Sequence, residues 1–320
     1  MWFVRAWHDR HPAWRRPLPS NVVLSERRSA LVVAGIATMW GSVGVVVRQV
    51  DLPAVALVSA RIWIAAPALA LFLRRTRSAT GWHWPPGRRL LANGIILAAH
   101  WVCFIAALQR APIGTVLLIT YLAPVGIAAL APAVLGEEVP TRTKAALAVA
   151  VGGIVCIAVP AMDGSSTDGI VLALLTGVLY VPLALLNKSL SDEMGGVELS
   201  LYQLLIAGAV MLPLALLADW GSPTVDWLWL PVLALVYTAF GFAGYLHALE
   251  RIPATRAAVL LYLEPASAVL FGWLLLSQEP TGWTVLGGAL VVGAGVLVAR
   301  TPVTPEMPPV VVEEDTDVPG

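Results

Sequence analysis

Ten apolar stretches follow one another along most of the chain, over 29–47, 53–73, 90–108, 113–135, 143–159, 169–186, 198–217, 228–249, 255–277 and 281–299. A bilayer-spanning helix needs about 20 apolar residues, whereas a spanning barrel strand shows as about 10 residues of alternating hydrophobicity. These stretches are too long for strands, and apolar residues surround most of them, as lipid or a buried bundle requires. The expected fold is an all-α polytopic membrane protein with ten transmembrane helices. Charged residues make up 12% of the 320 residues, against about 25% in a soluble domain, which is too few to coat a globule of this size. A soluble enzyme is thereby excluded.

The connections are short, leaving a basic tail over 1–28 and a proline- and acid-rich tail over 301–320 that is expected to be disordered. The N-terminus lacks the apolar core and small-residue cleavage site of a removed signal peptide. With the N-terminus inside, seventeen of the 20 Lys and Arg residues fall on the cytoplasmic side, only Arg48 and Arg110 fall outside, and Arg61 lies within a span. This distribution implies a multi-pass plasma-membrane protein in contact with lipid, with both termini cytoplasmic. Trp220, Trp227, Trp229 and Trp283 fall at expected helix ends, where interfacial tryptophans belong. The formal net charge is zero, which gives no reason to expect nucleic-acid binding. Cys103 and Cys156 sit in apolar runs and read as small fillers, with neither a disulfide nor a metal site.

The sequence repeats itself. Ala107-Leu108-Gln109-Arg110-Ala111-Pro112 recurs 141 residues later as Ala248-Leu249-Glu250-Arg251-Ile252-Pro253, with four of six positions identical. The same offset relates Tyr121-Leu122-Ala123-Pro124 to Tyr262-Leu263-Glu264-Pro265, Glu138 to Glu279, Thr143 to Thr284 and Gly152 to Gly293. With a slip of one residue, Arg61 faces Gln203. A repeat of five helices is odd, so its second copy enters the membrane with opposite orientation. Such a 5+5 inverted-topology repeat is a recurring plan of secondary transporters, in which a central site opens alternately to either side.

In these features the chain resembles the EamA-type group of the drug/metabolite transporter superfamily. The resemblance rests on the two five-helix halves, Trp40-Gly41 in the first span, Arg61 in the second, and the runs Pro124 to Glu138 and Pro265 to Glu279, whose end residues are separated by 14 positions in both cases. It spans 29–160 as a first repeat and 168–300 as a second. The family pattern usually has Gly before the final Glu; here Gly136 is followed by Glu137-Glu138, and the second copy reads Ser277-Gln278-Glu279. The resemblance implies export of an amino acid or related small metabolite.

Ionisable groups at mid-membrane cost several kcal/mol, with estimates from about 2.5 upward, and so mark candidate sites. Arg61 lies 8 residues after Pro53 and Glu264 lies 9 residues after Thr255, which sets both about 12–14 Å deep in a core about 30 Å thick. Arg61 suits a carboxylate or phosphate, and Glu264 suits an ammonium, a cation or a proton. An internal Arg61–Glu264 ion pair is the alternative, and the two uses overlap if cargo breaks the pair. Pro124 and Pro265 remove helical hydrogen bonds, freeing the carbonyls of Thr120 and Leu261. Tyr121 and Tyr262 flank them as cavity-lining candidates. Further candidates are His100, which could relay protons, Tyr180 beside Pro182, Gln203 and Trp40. For each of these a packing role is the competing reading. His247 nears the cytoplasmic end and is the weaker histidine candidate. Glu138 and Glu279 are expected to sit ahead of the next helix and favour its positive N-terminus. Gly152-Gly153, Gly287, Gly288, Gly293 and Gly295 read as helix-packing or homodimer surfaces.

The function expected is therefore a secondary transporter exporting a small polar molecule by alternating access, with no cofactor. No Gly-x-x-x-x-Gly-Lys-Ser/Thr run is present, so ATP is not a direct energy source. Proton coupling rests on Glu264 and His100. Drug-like or lipid-linked cargo is the alternative that a large, wholly apolar cavity would favour. An intramembrane enzyme is disfavoured by the lack of a His-Glu-x-x-His run and of aspartates within the expected spans.

Overall fold

The structure, a computed structural model, describes residues 20–76, 87–111, 113–158, 166–221, 224–276 and 279–300. The expected disorder of 301–320 and most of the basic N-terminal tail lie outside the described residues. Among the described residues all regular structure is helical. Helix α1 (Ser20–Trp40) is followed by α2 (Val43–Val47), α3 (Ala54–Thr76), α4 (Arg88–Leu108), α5 (Ile113–Thr120), α6 (Ala123–Leu135) and α7 (Thr141–Ala158). Then come α8 (Thr167–Met194), α9 (Gly196–Leu217), a 3₁₀ turn (Val225–Leu228), one α turn (Trp229–Pro231), a π-helical segment (Val232–Phe240), α10 (Gly241–Leu249), α11 (Ala254–Leu260), α12 (Leu263–Leu276) and α13 (Gly282–Arg300). Seven helical stretches are long and apolar enough to cross a bilayer, and two shorter apolar helices, Ala123–Leu135 and Gly282–Leu297, accompany them.

The surface is that of a protein dissolved in lipid. Leu31, Phe72, Leu130, Val178, Leu217, Phe240, Leu274 and Trp283 are exposed on eight different helical stretches, while Asn93, Asn187, Gln203 and Thr238 are buried. That arrangement inverts the soluble rule, because every buried polar group must find its partner inside the bundle.

Three spans are broken by tight turns rather than continuous. At Tyr121–Leu122 the Leu122 N–H donates to Ile119 (3.2 Å) and the Val125 N–H to Leu122 (3.0 Å). At Leu261–Tyr262 the Tyr262 N–H donates to Val259 (3.2 Å) and the Glu264 N–H to Leu261 (3.0 Å). Pro124 and Pro265 lack the N–H that an unbroken helix needs, so the chain tightens into i→i−3 bonds. The Leu261 carbonyl, expected to be free, is thus occupied by the Glu264 N–H. The third break, Gly41–Ser42, is held by the Ser42 hydroxyl donating to the Met39 carbonyl (2.7 Å).

Close backbone crossings fix the bundle. A Cβ at Gly41 would lie 2.1 Å from Ser267 Oγ and 2.6 Å from the Glu264 carbonyl oxygen; one at Gly196 would lie 2.1 Å from the Leu246 carbonyl carbon. Backbone cannot yield as a side-chain tip can, so Gly41→Ala is expected to separate the first span from the Glu264 turn. The variant is expected to lose thermal stability in detergent by several degrees, and an unshifted melting curve would contradict the packing. Glycine roles divide in the paired helices α7 and α13. A Cβ at Gly153 would meet the Gly287 carbonyl at 2.7 Å, whereas Gly152, Gly288 and Gly293 have open space on that side.

Two expectations about charged residues change. The N-terminal helix cap is Glu137, not Glu138, and it caps α11 in the other half rather than the following helix. Its carboxylate accepts from the Ala254 N–H (2.7 Å), the Thr255 N–H (3.3 Å) and the Thr255 hydroxyl (3.3 Å). Glu138 and Glu279 are exposed. Glu137→Ala is expected to lower stability by about 0.5–2 kcal/mol, the range for a lost N-terminal cap, and Glu138→Ala by much less. Equal melting temperatures would refute that assignment. Helix α8 also continues eight residues past its expected end at 186, so Asp192 is helical rather than in a loop. Lys188 secures this extension by donating to Asp192 (2.8 Å) and to the Leu249 carbonyl (3.0 Å).

Candidate functional site

The bundle holds a cavity of about 110 Å³ where α1, α2, α3, α4, the Thr120–Tyr121 end of α5, α8, the π-helical segment, α10 and the first turn of α12 converge. Of the eight candidate residues, Trp40, Arg61, His100, Tyr121, Tyr180 and Glu264 line it. Gln203 and Tyr262 do not.

Arg61 is buried, with 7% of its surface exposed. Its Nε donates to Thr238 Oγ1 (2.9 Å), and its guanidinium carbon lies 4.1 Å from the centroid of the Trp101 ring. Thr238 in turn donates its hydroxyl proton to the Leu233 carbonyl (3.0 Å). The spacing of five residues follows the π-helical winding of that segment, a geometry often found at functional sites. No ion pair among the described residues includes Arg61, so the expected alternative of an Arg61–Glu264 pair is not realised.

Glu264 sits in the first turn of α12 and accepts a short hydrogen bond from the Tyr121 hydroxyl (2.5 Å). The proline-induced breaks in the two matching spans therefore bring together one residue from each. Gly41 packs on the backbone beneath Glu264, which gives the Trp40-Gly41 pair a physical reason. The small residue admits the Glu264 turn, and Trp40 then reaches the cavity. The Trp40 indole N–H donates to the Tyr237 carbonyl (3.1 Å), and its ring lies 5.6 Å from that of Tyr245.

His100 is stacked with Tyr180 (5.3 Å between centroids) and Phe104 (6.3 Å). Its Nδ1 lies 3.1 Å from the Thr176 carbonyl oxygen, which can only accept; Nδ1 therefore carries the proton, and Nε2 is left as an acceptor in the neutral ring. Gln203 stands behind the wall. Its Nε2 donates to Asn187 Oδ1 (2.7 Å), which also accepts from Asn93 (3.0 Å), and Asn187 rather than Gln203 faces the cavity. Tyr262 is fully buried, with its ring 5.7 Å from that of Tyr121 and its hydroxyl without a partner among the described residues.

Residues not singled out from the sequence complete the wall, notably Trp101, Phe104, Phe242 and Tyr245. The repeat offset held the signal for them. Adding 141 to Trp101 and Phe104 gives Phe242 and Tyr245. Moreover, two matched pairs touch each other: Trp101 meets Phe242 at 5.5 Å, and Tyr121 meets Tyr262 at 5.7 Å.

Comparison with known proteins agrees with this architecture. The chain is 27% identical to a pseudopaline exporter of Pseudomonas aeruginosa, over 88% of this chain and 99% of that one. It is also 27% identical to a "Probable terminal-alkyne amino-acid exporter" of Streptantibioticus cattleyicolor, over 75% and 82% of the two chains. It is 30% identical to a riboflavin transporter of Rhizobium johnstonii, over 74% and 78%. The profile of the EamA-like transporter family matches twice, over residues 27–159 and 167–300, so this chain is a polytopic membrane protein belonging to the EamA-like transporter family.

Proposed function

We propose that this protein is a secondary exporter that carries a small carboxylate-bearing metabolite, an amino acid or a related compound, across the plasma membrane by alternating access. The observation that carries the reading is Arg61. A guanidinium buried in a mid-membrane cavity, with one hydroxyl and one indole face as its described contacts, is poised for an anion. A buried charge lacking an opposite charge is expensive, and a carboxylate cargo offsets that cost when it binds.

Two five-helix halves of opposite orientation, ten spans in all, complete the proposal. The self-contacts of the matched pairs Trp101/Phe242 and Tyr121/Tyr262 support it, as does the double family match. The charge asymmetry of the loops supports a cytoplasmic placement of both termini. Proton coupling through Glu264 belongs to the same reading, because a cargo ammonium and a proton would compete for one carboxylate. The relatives' own cargo differ from one another, so they support the transport reading more than any particular cargo.

The test is a metabolite profile of the medium from cells overproducing the protein. At least one carboxylate-bearing metabolite is expected to accumulate with the wild type, and to fall to the vector level with Arg61→Ala and with Glu264→Ala. Accumulation of the same species with both variants would remove the site assignment.

A further inference from the structure

The hydroxyl of Thr238 stands apart from the rest of the cavity machinery, because it touches Arg61 without being needed to build the helix that carries it. Arginine has five N–H donors arranged in one plane. In Arg61 the Nε donor is taken by Thr238 Oγ1 at 2.9 Å, and one face of the plane is covered by Trp101 at 4.1 Å. Neither terminal nitrogen has an acceptor among the described residues. A hydroxyl owns a single proton, and that of Thr238 is committed to the Leu233 carbonyl at 3.0 Å. Its lone pairs are therefore turned toward Arg61, so that it acts there only as an acceptor. A helical threonine ordinarily bonds back three or four residues. The π-helical winding over Val232–Phe240 shifts this bond to the fifth residue and rotates the hydroxyl accordingly.

The repeat supplies an internal control. The position matching Thr238 in the first half is Leu97, which lines the cavity, whereas Thr238 itself is fully buried behind the wall. The twin half is thus built with an apolar side chain at this point, and the hydroxyl is not a demand of the scaffold. Arg61 belongs to the first half and Thr238 to the second, so the hydroxyl reaches the arginine from the opposite half, and the residue matching Arg61 is the uncharged Gln203.

We propose that Thr238 is a positioning and specificity residue: together with the Trp101 ring it locks the guanidinium plane of Arg61 so that the two terminal nitrogens present a fork to a planar carboxylate. The inference rests on the reading of Arg61 as the cargo's anion receptor. A fork of two parallel N–H donors selects two coplanar oxygens, whereas a freely turning guanidinium accepts any negative charge. The lock thus discriminates a carboxylate from an amide of the same shape, since an amide offers one acceptor and opposes the second guanidinium donor with N–H groups of its own.

The test uses the full-length protein labelled with [¹⁵N]arginine in detergent, with the Arg61 signals assigned by Arg61→Lys. Sodium acetate is the probe and acetamide its neutral control. In the wild type the Arg61 Nε–H is expected to exchange slowly with water, and its terminal nitrogens to shift saturably with acetate but not with acetamide. Thr238→Val, which keeps shape and removes the hydroxyl, is expected to speed Nε–H exchange and weaken acetate binding about tenfold or more. Thr238→Ser is expected to restore both. No acetate response at Arg61 in the wild type would overturn the anion-receptor reading itself. An acetate response with equal affinity in Thr238→Val would leave that reading standing and overturn the role of Thr238. Should Thr238→Val not fold, rapid Nε–H exchange in the unmutated protein is sufficient to overturn the proposal, and Thr238→Ser with weakened binding does the same.

Discussion

Arg61→Met is expected to abolish export while leaving the protein at least as stable as the wild type. The two effects separate because the guanidinium is not part of a described ion pair. Its surroundings supply one hydroxyl acceptor and an indole face, which is less than a charge in a low-dielectric interior needs. Methionine fills a similar volume, brings no charge into the membrane core, and can keep contact with Trp101 through its sulfur. Leaving Thr238 without its donor is a small loss, since its own proton stays bonded to Leu233. Cargo binding, by contrast, loses a charge-assisted bidentate contact. Truncating one partner of a buried charge pair costs roughly 2–5 kcal/mol, or about 30-fold and upward in affinity. Transport assays and melting curves on the same preparation decide the matter. A variant that melts well below the wild type would mean that Arg61 holds helices together, and the site would need a different anchor.

The sequence carried the scaffold and its charges more fully than the geometry of the site. Apolar runs of bilayer length are a strong signal, because lipid requires each span to satisfy its own backbone. Among the described residues, seven helical stretches are long and apolar enough to cross a bilayer. Arg61 and Glu264 stood out for a related reason, since charge is tolerated at that depth only where it serves a purpose. The matching Pro124 and Pro265 pointed to the two broken spans, though not to the tight turns that reuse the Leu261 carbonyl. What stayed hidden depends on rotation about helix axes. The repeat pairs Gln203 with Arg61, yet Gln203 faces Asn187, and no residue of α9 lines the cavity. Thr238 gave no sign, because a lone threonine in an apolar run is unremarkable until π-helical winding turns its hydroxyl toward Arg61. Glu137 and Glu138 differ by one position, which is about 100° around a helix of 3.6 residues per turn. At the end of a helix only the folded chain shows which of two adjacent carboxylates reaches α11. The aromatic wall could have been read further, since the offset that relates Tyr121 to Tyr262 also relates Trp101 to Phe242.

Glu264→Gln is expected to uncouple transport from the proton gradient without stopping it. In vesicles loaded with cargo, acidifying the outside should accelerate exit through the wild type, because a proton entering on Glu264 occupies the carboxylate that the cargo's ammonium has left. Glutamine keeps the size of the side chain, and its carbonyl oxygen still accepts from the Tyr121 hydroxyl, so the turn at Leu261–Tyr262 has no reason to change. It cannot take up or release a proton, however. Exit through Glu264→Gln should therefore follow the cargo gradient alone, at the same rate whether or not the pH gradient is imposed. Tyr121→Phe separates positioning from titration. It removes the donor at 2.5 Å but leaves the carboxylate, so the gradient response should survive at a reduced rate. His100 is the competing relay, since its Nε2 is left as an acceptor and its ring lies on the cavity wall. If Glu264→Gln still responds to the gradient and His100→Gln does not, the proton passes through the histidine, and Glu264 serves the cargo's ammonium alone.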